Sequence, residues 1–302
     1  MIKKATIFGA ELFDDHNELD ELITEDKTTK YPELSQRITC GFIPVFGDVY
    51  VNNFSTGYQF SMQIWEKKIS NQVVNRLTNE RCEGFSSITR NDKLRIKDEV
   101  VAELVQNTHA VSRIIRCFYH IASKLLIIES TTSGDTDRVM GKLLDTVGSI
   151  ETKTLNISHT SGLTNLLEER IQCIFEDEKD AFELFNEHEI TGLLRLKSPC
   201  KETIELKGMS WNELEYSSLR DIEGSITNGF EVDKIRLSTG SIEFTLDEKF
   251  KFSSIKFPSF EEDEEIENVK TKIDSETIFC IDRIVNSANI MVEQFKVVDN
   301  NG

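Results

Sequence analysis

Residues 93–129 read KLRIKDEVVAELVQNTHAVSRIIRCFYHIASKLLIIE. This stretch decides the fold class. Val100, Val101, Leu104, Val105, Thr108 and Val111 recur at helical offsets, so the sequence predicts a helix from Lys97 to about Val111 with one buried stripe. Asp98 and Glu99 fall in its first turn, where they complement the helix dipole. Ile114–Ile121 and Lys124–Glu129 follow as two apolar strands. They are too close together to hold a crossover helix, so they predict an antiparallel hairpin. A basic lead-in, Lys93, Arg95 and Lys97, precedes the helix.

The same pattern extends outward. Residues 4–11 read as a strand and Asn17–Thr24 as an acidic helix. Residues 38–52, ITCGFIPVFGDVYVN, read as strand, turn, strand, broken by Gly41, Pro44 and Gly47. Tyr58–Trp65 forms another strand, Ile69–Cys82 a weak helix, and Glu83–Asn91 a mobile tip. Downstream, Thr132–Gly148 is a helix closed by glycine. Strand 150–156 and helix 161–173 follow. Short strands surround Pro199 between 192 and 206, and Ser210 opens a helical turn with Glu213 as a capping-box partner. Val232–Leu237, Ser241–Leu246 and Phe250–Phe257 form a meander, and Ile284–Phe295 ends the chain as an amphipathic helix. Strands mostly adjoin without crossover helices, which predicts an α+β fold of mixed antiparallel sheets rather than a doubly wound α/β fold.

The chain carries a net charge of −18, yet the segment from Phe60 to Leu125 holds eleven basic and seven acidic residues, a local +4 against −22 for the remainder. Its bases are Lys67, Lys68, Arg76, Arg81, Arg90, Lys93, Arg95, Lys97, Arg113, Arg116 and Lys124. A local basic face on an acidic chain suits an anionic partner, and a solvated helical surface is the plainer reading. No window approaches the roughly 18 apolar residues of a membrane span. MIKKATIFGAELFDD meets acids before any long apolar run, unlike a signal peptide. Six scattered cysteines without a C-x-x-C pair fit free buried thiols in a reducing cytoplasm.

The residue types that carry catalysis or metal binding find no supporting pattern. Residues 134–143 place glycines at the wrong spacing for a phosphate loop, with Leu143 where a magnesium-binding hydroxyl is required, so they read as a helix start. Asp14, Asp15, His16, Glu18 and Asp20 read as acids opening a helix, and Glu187-His188-Glu189 as an exposed run. The histidines His16, His109, His120, His159 and His188 never pair at ligand spacing. Glu261–Glu265 could mimic DNA phosphates but reads more simply as a solvated acidic segment.

Several ordered pieces resemble the RdgC family of recombination-associated proteins. They are Gly41-Phe42-Ile43-Pro44-Val45-Phe46-Gly47, Glu66-Lys67-Lys68 with Ile69 and Val73-Val74, and Lys97-Asp98-Glu99-Val100 with its following strands. Phe182-Glu183-Leu184, Ser210-Trp211-Asn212-Glu213 and Lys234–Leu237 continue the order. The resemblance implies a ring-shaped homodimer, with a protruding helical finger, that encircles double-stranded DNA without sequence specificity. It further implies interference with a recombinase, no cofactor, no catalysis, no membrane, and a cytoplasmic, nucleoid-associated location. The chain would divide into a central lobe (1–69 with 113–175), a finger (70–112) and a C-terminal lobe (176–302). Lys67, Lys68, Arg76, Arg90, Lys93, Arg95, Lys97 and Lys207 are the expected DNA contacts. His109 and Ser112 stand where the family's finger has ring-closing phenylalanines. A different class of function fits the bulk charge: an acidic protein-interaction module on the same fold that no longer binds DNA.

Overall fold

A computed structural model describes residues 1–85, 87–155, 162–176, 189–200, 202–210, 216–259 and 269–295. The fold is α+β, built on a twelve-stranded sheet whose described ladders are all antiparallel. The N-terminal half supplies β1 (Lys4–Glu11), β2 (Ile38–Ile43), β3 (Val51–Phe54), β4 (Gly57–Lys67), β5 (Ala110–His120), β6 (Leu125–Ile128) and β7 (Glu151–Thr154). The C-terminal half supplies β8 (Glu189–Lys197), β9 (Thr203–Ser210), β10 (Glu231–Ser238), β11 (Glu243–Asp247) and β12 (Lys251–Lys256). Their order across the sheet is β2-β4-β5-β6-β1-β12-β11-β10-β8-β9. The first strand in sequence therefore joins the two halves, pairing β6 on one side and β12 on the other. β7 also pairs with β1, and β3 lies on β4 beyond the end of β2, so β2 and β3 succeed one another along one edge.

Both faces of the sheet are covered. On one face lie α5 (Leu163–Glu176), α6 (Tyr216–Thr227) and α7 (Val269–Phe295), contributing Leu167, Ile222, Ile284 and Met291 to one core. On the other lie α1 (His16–Leu22) and α4 (Ser133–Val147), contributing Leu19, Val139 and Leu143 to a second core. The unbroken apolar run of β6 follows from this. Leu125 and Ile127 enter the first core while Leu126 and Ile128 enter the second, as strict alternation requires of a strand buried on both sides.

Two backbone approaches explain glycines in the early strands. A Cβ on Gly41 would come within 2.5 Å of the Thr28–Thr29 backbone, and one on Gly57 within 1.9 Å of the Tyr119 carbonyl oxygen. Only glycine fits such contacts.

Several boundaries differ from the sequence reading. The helix expected from Lys97 begins at Arg90 and ends at Asn107, so Val111 lies in β5 rather than on the helical stripe. The final helix starts at Val269, fifteen residues before Ile284, with Cys280 and Ile281 extending its buried side. Ser210 ends β9 instead of opening a helix. Phe182–Leu184, Trp211–Glu213, Glu261–Glu265, His159, His188 and most of the Glu187–Glu189 run lie outside the described residues. Residues 134–143 sit within α4, whose carboxyl end is closed by Gly148 at φ 83°, as the sequence predicts. The described cysteines are free, and Cys117 and Cys280 are buried, but Cys200 is exposed on the turn between β8 and β9.

Candidate nucleic-acid interface

β4 and β5 are neighbours across eleven paired positions, yet 42 residues separate them in sequence. That insertion is a helical hairpin, α2 (Asn71–Cys82) and α3 (Arg90–Asn107). The two helices pack on one another, burying Val74 and Thr78 of α2 and Ile96, Val100 and Val105 of α3. None of these five belongs to either main core. An Arg81–Glu103 ion pair links the end of α2 to the carboxyl-terminal part of α3, and Arg76 pairs with Glu80 along α2 at 3.6 Å.

The start of α3 is set by a capping box. The Thr89 hydroxyl donates to the Asp92 carboxylate at 2.6 Å and accepts from the Asp92 amide at 3.2 Å, while the Thr89 amide donates back to Asp92 at 3.2 Å. The hydroxyl and amide of Thr89, followed by the nearby charge of Arg95, hold the Asp92 carboxyl below the ordinary carboxylate range. The basic lead-in is therefore helical, and its geometry can be read from helical spacing.

At 3.6 residues per turn, Arg90, Lys93 and Lys97 occupy i, i+3 and i+7 and share one face. Asp92, Glu99 and Glu103 recur at i, i+7 and i+11 on the opposite side, and Arg95 falls toward that acidic side. Arg90, Lys93 and Lys97 are exposed and, among the described residues, have no acidic partner at ion-pair distance. Three unneutralised cations thus span about 10 Å of one helix face.

The other expected contacts fall elsewhere. Lys67 is only 2% exposed, and its ammonium donates to the carbonyl oxygens of Glu33 at 2.7 Å and Leu34 at 3.0 Å. It fastens the 28–37 segment to the end of β4 and offers no charge to a ligand. Lys68 is exposed at the root of the hairpin. Lys207 lies in β9, at the opposite end of the sheet from the β4–β5 pair, opposite Leu193. Arg113 and Arg116, part of the basic excess, are consumed internally. Arg113 binds Glu66 at 2.8 Å and Asp135 at 2.6 Å, and Arg116 makes a two-pronged contact with Glu129 at 2.5 and 2.9 Å.

His109 and Ser112 are exposed, but they sit where α3 returns to the sheet, with Ser112 opposite Trp65. The length of α3, about 27 Å, separates them from the hairpin tip. The aromatic residue at the tip is Phe85, 60% exposed, which the sequence reading passed over within a loop segment. Leu94, 52% exposed, lies in the second turn of α3.

Among the described residues, no helix is long and apolar enough to cross a membrane. A search of curated proteins finds no match. A family model described as "Putative exonuclease, RdgC" matches residues 2–298 of the 302. The match takes in the sheet, the inserted helical hairpin and the C-terminal helix, so it rests on the whole architecture rather than one motif. The chain belongs to the RdgC family.

Proposed function

We propose that this protein binds double-stranded DNA without sequence specificity, as a dimer that encircles the duplex, and thereby restrains recombinase-driven strand exchange on the nucleoid. The observation that carries this reading is the array of Arg90, Lys93 and Lys97 on one face of α3. Regularly spaced cations with no internal partner suit phosphate oxygens, which position a protein on DNA but carry no sequence information. Membership of a recombination-associated family supports the same direction. The acidity of the remaining surface disfavours DNA outside the enclosed path, and a ring retains its duplex topologically, so few cations suffice. In this reading the protein works by occupancy and needs no cofactor.

The test is salt dependence. Three cations from each hairpin of a dimer make about six phosphate contacts, and a slope of about −0.9 per contact gives roughly a thousandfold loss of affinity between 50 and 200 mM salt. Gel retardation of plain duplex at those two salts checks this. Neutralising all three positions with Arg90→Gln, Lys93→Gln and Lys97→Gln is expected to flatten the slope by roughly 5. Arg95→Gln, on the acidic side of the helix, is expected to change little. Absence of retardation at the lower salt, or an unaltered slope in the triple variant, sinks the reading.

The net charge of −18 favours a second reading, an acidic protein-interaction module that no longer grips DNA. It predicts no retardation at either salt. The catalytic activity named in the family description is tested with end-labelled duplex and magnesium. Intact label is expected, and release of mononucleotides would replace the binding reading with an enzymatic one.

A further inference from the structure

The C-terminal helix meets the sheet at the turn between β5 and β6, and an imidazole sits at that joint. His120 is the last residue of β5 and is half-buried. Its Nδ1 accepts from the Ser123 amide at 3.2 Å and so closes the turn. The Ser123 hydroxyl in turn accepts from the Asn289 side-chain amide of α7 at 3.4 Å. Asp282, seven residues before Asn289, lies on the same face of α7. Its carboxylate accepts from the hydroxyl of Thr56, between β3 and β4, at 3.4 Å. Nearer its amino end, α7 leaves a cleft of about 280 Å³ over β5, lined by Arg116, Phe118, Ile273 and Cys280 among others. Apolar packing of α7 on β5 is therefore incomplete, and the polar contacts at the turns carry part of the hold.

An imidazole accepts this hydrogen bond only while neutral, with its one ring proton on Nε2. A proton taken from solvent at Nδ1 turns the acceptor into a donor facing the Ser123 N–H, and the turn loses its closing bond. We infer that His120 is an acid-sensitive latch for the C-terminal helix: neutral, it holds the β5–β6 turn where Ser123 meets α7, and protonated, it releases that turn. The latch is independent of the DNA-binding reading above. Asp282 is the charged group that acts on the ring from α7. The neighbouring strands place Gly57 and Leu125 opposite His120, neither of which titrates, and Lys124 in the turn is bound to Glu11 at 2.9 Å. Burial holds the imidazole below its ordinary value of 6.5 and outweighs the opposing pull of Asp282. The folded state thus favours the neutral ring. The stability this confers is complete above the ordinary value and is lost as pH falls below it toward the lower folded-state value.

The experiment is hydrogen exchange of the full chain, read by mass spectrometry and corrected for intrinsic rates, at two pH values about one unit above and one unit below the ordinary imidazole value. Wild-type protection of residues 121–125 is expected to fall about fivefold at the lower pH, the loss of one hydrogen bond of ordinary strength. Protection of residues 282–290 is expected to fall with it. His120→Asn offers an acceptor oxygen at the same reach that does not titrate, so it is expected to keep its protection at both pH values. His120→Ala is expected to show the low protection at both. Asp282→Asn removes the charge that favours the imidazolium, so the fall is expected to move to lower pH. Equal wild-type protection at the two pH values overturns the inference, and so does an equal fall in His120→Asn. Protection that rises in acid also overturns it, because the imidazolium then pairs with Asp282 and tightens the joint. Circular dichroism verifies folding of each variant, and the wild type with His120→Asn decides the question if His120→Ala fails to fold.

Discussion

Lys67 and Lys68 are adjacent and chemically identical, yet one is a structural pin and the other a surface charge. Lys67 closes β4 and points inward, where two backbone carbonyl oxygens receive its ammonium. Lys68 lies just beyond the strand and faces solvent. Replacing Lys67 by Met keeps most of the aliphatic volume but strands the carbonyls of Glu33 and Leu34. The expected cost is about 2–3 kcal/mol of stability, since groups bonded to a charged donor lose more than neutral pairs. Urea unfolding of Lys67→Met measures it, and duplex affinity of the folded variant should equal wild type. An undiminished midpoint would show that the ammonium contributes nothing to the native state. This distinction was not legible in the sequence. Composition counts every lysine as a surface cation, while the direction of a side chain at a strand end depends on pleat and on a distant segment crossing over it. Arg113 and Arg116 misled the charge count for the same reason, because their partners Asp135, Glu66 and Glu129 are brought near by sheet pairing and helix docking.

Among the elements, those with local signals were the ones the sequence disclosed. β6 was marked by its continuous apolar run, α4 by its closing glycine, and the β10–β12 meander by punctuating turns. The start of α3 was missed because its capping box uses Asp92 at the third position, where Glu or Gln is the commoner partner, and because its first turns carry little apolar periodicity. Hairpin burial is thin there, so the cap matters more than it would in a core helix. Thr89→Ala is expected to lower stability by about 1 kcal/mol and to fray the first turn. Because Arg90 and Lys93 lie in that turn and the next, duplex affinity should fall a few-fold with it, while Thr89→Ser restores both. Thermal melting and gel retardation of the two variants check this. A Thr89→Ala variant that melts as wild type, with unchanged affinity, would show that α3 is held by packing against α2 alone.

At the scale of the whole molecule, the position of β1 governs how the chain unfolds. The first strand sits in the middle of the sheet, and its side chains divide between the two cores. Ala5 and Ile7 pack among residues of β10–β12 and α5–α7, while Phe8 and Ala10 pack with β2–β6, α1 and α4. Its ladder with β12 runs through Lys4, Ala5 and Thr6, and its ladder with β6 through Thr6 to Gly9. Phe118, Leu125 and Ile127 from β5 and β6 enter the same core as the C-terminal helices. The first core therefore draws on both halves, whereas the second is closed by residues 8–150 alone, and sequence composition marks no linker between them. The expected behaviour is one cooperative transition, with far- and near-ultraviolet circular dichroism coincident in urea. A fragment of residues 1–176 retains every N-terminal strand but exposes the β12 edge of β1 together with Ile2, Ala5, Ile7, Phe118 and Ile127. It is expected to bind a hydrophobic dye and to melt at lower temperature and less cooperatively than the full chain, since the second core is kept but an uncovered sheet face and an open central edge favour association. A sharp, dye-free transition in that fragment would show that the N-terminal half is an autonomous unit and that the shared sheet is a docking seam rather than a common core.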